Sequence, residues 1–79
     1  MYELMLLELD HRGITNTNKI IKKSNNLETL KEYAEQYKNK IDPAKDFQKG
    51  TFYFKLIIFK DQDLIVYNYD KQVKDQIEW

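Results

Sequence analysis

Cysteine is absent from the 79 residues, so disulfides, thiolate-bound zinc and thiol nucleophiles are excluded, and nothing in the composition asks for an oxidising compartment. Proline occurs once and glycine twice, and neither a Gly-rich phosphate loop nor a linker is found. An excess of charge is missing too. Thirteen Lys and Arg balance thirteen Asp and Glu, which leaves no overall field to draw in nucleic acid or an anionic membrane. No segment approaches the ~20 apolar residues of a membrane span. The run Met1-Tyr2-Glu3-Leu4-Met5-Leu6-Leu7-Glu8 carries acids and lacks a basic start, which argues against a signal peptide.

What is present is 42% apolar and 33% charged, the balance of one small domain over residues 1–79. A chain of this size hides only ~60–65% of its unfolded surface, so its stability is modest. Arg12 is the lone arginine among thirteen basic residues, and there are eight Ile, six Asn and six Tyr against two Ala. AT-rich codons produce this usage, as expected of a low-GC bacterium or its phages and plasmids. A cytoplasmic location, in a bacterial cytosol, is the expectation.

Residues 2–9 are too apolar for clean alternation and too short for a good helix, and they read as a strand. Asp10-His11-Arg12-Gly13 has Asp first and Gly fourth, which suits a type I turn followed by a left-handed glycine, closing a hairpin. The return from Ile14 to about Lys23 is polar, with Thr15 to Asn18 offering little to pack, and reads as an edge strand guarded by lysines. A helix through Thr17 to Lys23 is the alternative.

Ser24, Asn25 and Asn26 are candidate N-caps for a helix beginning near Leu27, with Glu28 in its first turn. Leu27, Leu30, Ala34, Tyr37 and Ile41 form one apolar stripe, flanked by Tyr33, opposite a charged face. Asp42-Pro43 stops it. The chain between there and about Gly50 reads as the longest connection. Thr51 to Lys60 alternates strongly: Phe52, Phe54, Leu56 and Ile58 lie on one face, Tyr53, Lys55, Ile57 and Phe59 on the other. Asp61-Gln62-Asp63 makes a turn. Leu64 to Tyr69 is the partner strand, with Ile65, Tyr67 and Tyr69 assigned to one face. The expected fold is α+β: an antiparallel sheet of about four strands in the order ββαββ, one amphipathic helix on one face, and over 71–79 either a short helix docked by Trp79, the favoured reading, or a strand, since Val73, Ile77 and Trp79 also fit a period of two.

Groups that could carry chemistry are sparse. His11 is alone in a turn, and general acid–base or nucleophilic work needs further groups held beside it. Asp61 and Asp63 resemble the start of a calcium loop, but its glycine and distal glutamate are missing. Glu8 and Asp10, two apart on one strand, read as solvated charges near the hairpin end. The chain lacks the phosphate-loop, dinucleotide, zinc-protease and nucleophile-elbow motifs. No catalytic, cofactor-binding or metal-binding residue is assigned, and the chain reads as a non-enzyme.

Lys49-Gly50-Thr51-Phe52-Tyr53-Phe54 loosely resembles the aromatic strand of the RNA-recognition fold, although three aromatics run consecutively and only one helix is secure. Lys19, Lys22 and Lys23, with Lys45 and Lys49, are candidate phosphate contacts for a nucleic-acid-binding alternative. The more informative feature is that a single helix covers one face of the sheet, yet both faces of 51–69 are apolar. Tyr53, Ile57, Phe59, Ile65, Tyr67 and Tyr69 are the expected partner-binding patch. The Val73/Ile77/Trp79 tail, a second copy of the chain or a foreign protein could cover it.

In size, element order and residue bias, with a lone helix such as Asn26-Leu27-Glu28-Thr29-Leu30-Lys31-Glu32-Tyr33-Ala34, the chain resembles the small accessory proteins of low-GC phages and prophages. Anti-CRISPR proteins and other host inhibitors belong to that class. The resemblance implies stoichiometric binding to a host protein, as inhibitor or adaptor, and supplies no functional residue.

Overall fold

A computed structural model describes residues 1–73. Two antiparallel hairpins, β1 (Tyr2–Leu9) with β2 (Thr15–Ser24) and β3 (Tyr53–Lys60) with β4 (Leu64–Gln72), join through β1 and β3 into one sheet of order β2-β1-β3-β4. The helix α1 (Leu27–Lys40) lies across one face, and a single turn, α2 (Pro43–Asp46), follows it. The fold is thus α+β in the order ββαββ, with α2 added inside the long connection.

The first turn forms as its residues dictate. Gly13 adopts φ +82°, its N–H donates to the Asp10 carbonyl at 3.0 Å, and the Asp10 N–H donates to the Ile14 carbonyl at 3.0 Å. Asn26 is the cap chosen from the three candidates: its Oδ1 accepts from the backbone N–H of Glu28 at 3.0 Å and Thr29 at 3.3 Å. Ile41 ends α1 in an extended conformation, and Asp42, directly before the proline, is extended as that position requires. Asp42 then caps α2, accepting from Ala44 N–H, and Pro43 occupies a first-turn position where a missing N–H costs nothing.

The core lies between α1 and the sheet. Leu4, Leu6, Phe54, Leu56 and Ile58 point up from the two central strands, and Leu30 and Ala34 point down from the helix, all essentially inaccessible to water. Tyr33, Tyr37, Leu27 and Ile41 complete the stripe at its margins. Phe47, from the segment after α2, closes one end against Phe54 with ring centroids 5.2 Å apart.

Residues 15–24 form the expected edge strand and not the alternative helix, because pairing to β1 satisfies a backbone whose side chains add little. Two expectations need revision. The last strand runs on to Gln72 instead of ending at Tyr69, and Val73 is buried with its N–H donating to the Phe52 carbonyl at 2.8 Å. A C-terminal helix over 71–79 therefore does not include Lys71 and Gln72, and Ile77 and Trp79 lie outside the described residues.

The turn between β3 and β4 places both Asp61 (φ 52°) and Gln62 (φ 70°) in the left-handed region, a type I′ arrangement that suits the twist of the two strands. Glutamine is a poor residue for it. Gln62→Gly is expected to stabilise the protein by about 1 kcal/mol, from the usual cost of a side chain in left-handed backbone. Leu56→Ala removes a fully buried side chain and is expected to cost about 3 kcal/mol. Urea titration of both variants measures the two shifts, which should have opposite signs.

Candidate functional site: the open face of the sheet

Register decides which side chains face away from α1. Opposed residues share a face, so the pairs Leu4–Ile58, Leu6–Leu56 and Glu8–Phe54 face the helix, while Glu3–Phe59, Met5–Ile57, Leu7–Lys55 and Leu9–Tyr53 face the other way. On the outer strands, Ile20 opposes Met5 and Ile65 opposes Phe59. Met5, Leu7, Ile20, Ile57, Phe59 and Ile65 therefore form one apolar band that crosses all four strands. The four on the central strands are half-buried by one another, whereas Ile20 and Ile65 at the rims are 41% and 52% exposed.

The charges on this face balance in number, with one ion pair among the described residues. Lys23 Nζ lies 3.4 Å from Glu3 Oε1, and Lys55 stands opposite Asp70 across β3 and β4. At one end, Phe52, Tyr53, Asp70, Lys71 and Gln72 line a shallow, open depression.

The six residues of the expected patch are divided. Tyr53, Ile57, Phe59 and Ile65 are on the open face, but Tyr67 opposes Ile58 and Tyr69 opposes Leu56, both beneath the helix. The cause is a register shift between Ile58 and Phe59, which lets Val66 intervene between Tyr67 and Ile65. An extra residue breaks the period of two, so Ile65 and Tyr67 no longer share a face.

Both tyrosines instead clamp α1. Tyr67 Oη donates to Glu35 Oε1 at 3.4 Å, Lys38 Nζ pairs with Glu35 Oε2 at 2.8 Å, and Lys38 stands over the Tyr69 ring at 4.4 Å from its centroid. The Lys38 ammonium holds the Glu35 carboxyl below its ordinary value, mainly through that hydrogen bond, and Glu35 raises Lys38 in return. Burial, and then the Glu35 charge, raise the Tyr67 phenol.

The acids behave differently from the reading as solvated charges. Glu8 is buried on the helix side at 6% exposure, and its Oε1 accepts from Gln48 N–H at 2.9 Å and Thr51 Oγ1 at 3.0 Å. It ties down the long connection, about forty residues away in sequence. Asp10 serves the turn: Oδ1 accepts from the N–H groups of Arg12 (2.9 Å) and Ile14 (3.1 Å), while Oδ2 takes both Nε (3.0 Å) and an Nη (2.7 Å) of Arg12. The two carboxylates thus have separate partners and do not act as a pair. His11 is exposed in the same turn. Asp61 accepts from the Met1 ammonium at 2.9 Å, which lowers its carboxyl below the usual range.

The lysines do not converge. Lys22 stands over the Tyr33 ring at 4.8 Å, Lys23 is paired with Glu3, and Lys19 opposes Leu6 on the exposed edge strand. Lys45 and Lys49 flank Gln48, which is bound to Glu8 at the other end of β1. Among the described residues no group of three or more His, Asp or Glu could hold a metal ion, and no helix is long and apolar enough to cross a membrane.

The structure thus defines a two-layer α+β protein with one sheet face covered by its helix and the other open among the described residues. Comparison with protein-family models, with curated proteins and with solved structures finds no match.

The Asp10–Arg12 contact gives a test by pH. The Arg12 hydrogen bonds hold the Asp10 carboxyl below the usual carboxylate range. A depressed folded value adds stability above the unfolded pKa, and that increment is lost as pH falls through the folded one. Arg12→Ala is expected to bring the Asp10 value back up toward that of an ordinary aspartate and to lower stability at neutral pH, with the difference from wild type closing in strong acid. An NMR titration of the Asp10 carboxyl, with urea midpoints at both extremes, reads both effects.

Proposed function

We propose that the protein is a non-enzymatic protein-binding module whose working surface is the open face of the sheet. The apolar band is the observation that carries this reading. Large apolar side chains gathered across all four strands of a small domain, with none of the described residues lying over them, mark an interaction surface. The centre is apolar and half-buried, Ile20 and Ile65 carry the apolar band out to the edge strands, and the charged residues Glu3, Lys23, Lys55 and Asp70 lie on the same face. Tyr53 and Phe59 provide the aromatic anchors.

Such a surface supports stoichiometric binding, as an inhibitor or adaptor, rather than turnover. The AT-rich residue usage and the small size support a place among the accessory proteins of low-GC phages or mobile elements, acting in the host cytosol. Nucleic-acid binding has no comparable support, since Lys22 and Lys23 are engaged at one end of the sheet and Lys45 and Lys49 stand at the other.

A photo-reactive phenylalanine analogue at Phe59 tests the reading. Irradiated in bacterial cytosol, it is expected to form adducts with protein, whereas the same analogue at Glu32, exposed on α1, is not. Equal labelling from both positions, or none from Phe59, would remove the open face as the binding surface.

A further inference from the structure

Resting on the reading of the open face as a protein-binding surface, we propose that its occupant is a second copy of this chain, with two sheets stacked face to face in a two-fold sandwich. Area, charge and the state of the sheet edges carry this together.

Four strands ~4.8 Å apart and about eight residues long at ~3.3 Å per residue make a face of roughly 19 by 26 Å, about 500 Å² in plan. Two such faces bury about 1,000 Å² before side-chain relief is added, and that reaches the ~1,000 Å² a specific interface needs. The thickness fits too: paired sheets stack ~10 Å apart with interdigitating side chains, and the half-buried Met5, Leu7, Ile57 and Phe59 are large enough to fill that layer.

The charges do not oppose a like partner. Glu3 is satisfied by Lys23 and Lys55 faces Asp70 in the same sheet, so the face offers no unbalanced charge by which a foreign protein of opposite sign could be recognised. The whole chain is also formally neutral, so two copies meet without net repulsion. A two-fold axis running along the strands between β1 and β3 would set Met5 of one copy against Ile57 of the other, matching the band to itself.

The edges are the less suitable route to a dimer. β2 carries Lys19, Lys22 and Lys23 and two register irregularities, and β4 carries Asp70, Lys71 and a bulge, features that oppose edge-to-edge pairing.

Light scattering behind a sizing column, across a wide concentration range, tests this on the full chain. The wild type is expected at twice 9.6 kDa. Ile57→Lys should elute as a folded monomer by circular dichroism, and Glu32→Lys, on the outer side of α1, should remain a dimer. If Ile57→Lys fails to fold, Ile65→Glu at the exposed rim serves instead, with the same expectation. A dimer that survives these open-face substitutions pairs by another surface, and overturns the sandwich. So does a wild type that is monomeric throughout. In that case labelling from Phe59 separates the two readings: adducts with a different protein would keep the binding module and discard the dimer, and their absence would discard both.

Discussion

The pairing of β1 with β3 is the contact on which the rest of the structure depends. It runs in unbroken antiparallel register from Tyr2–Lys60 to Leu9–Tyr53, while both outer pairings contain irregularities. These are the first and third strands, so the chain must leave β2 at one edge and return beside β1. The segment that makes this passage is α1 with its extension through α2. Leu4, Leu6, Leu56 and Ile58 form the floor on which Leu30 and Ala34 rest, and burying that floor is what holds the two hairpins in one sheet.

A helix of fourteen residues covers one such floor and leaves the opposite face of the same strands without a partner among the described residues. Met5, Leu7, Ile57 and Phe59 are apolar where a two-layer protein with one solvated face would carry polar residues. The excess is confined to the open face. On the helix side every buried polar side chain among the described residues has a partner, as Glu8 has in Thr51 and Gln48, and the partly buried Tyr67 is bound to Glu35. The helix side therefore explains its own residues, and the open face asks for something outside them. That contrast, more than any single residue, supports a binding function.

Much of this was legible in one dimension because it depends on neighbours in sequence. The Asp10–Gly13 turn, a helix cap within Ser24-Asn25-Asn26, the stop at Asp42-Pro43 and the alternation of 53–60 each follow from residues within a few positions of one another, as do the strand and helix periods that set the order ββαββ. The presence of two apolar faces on β3 was legible for the same reason. Its consequence for β4 was not. Alternation extended through Leu64–Tyr69 puts Ile65, Tyr67 and Tyr69 together, and one bulge opposite the Ile58–Phe59 step sends the tyrosines under the helix.

Sequence alone thus determined the elements, their order and the two-sidedness of the C-terminal hairpin, since local backbone preference and side-chain period are properties of adjacent residues. Tertiary structure alone decided the strand order, the buried role of Glu8 and the membership of the open face. Glu8 reads as a surface acid until Gln48 and Thr51, from the far side of the helix, are brought to its carboxylate. Tyr67 and Tyr69 read as surface anchors until Glu35 and Lys38 meet them. A bulge is set by how two strands fit their shared twist and the helix above them, and that fit exists only once the chain has closed on itself.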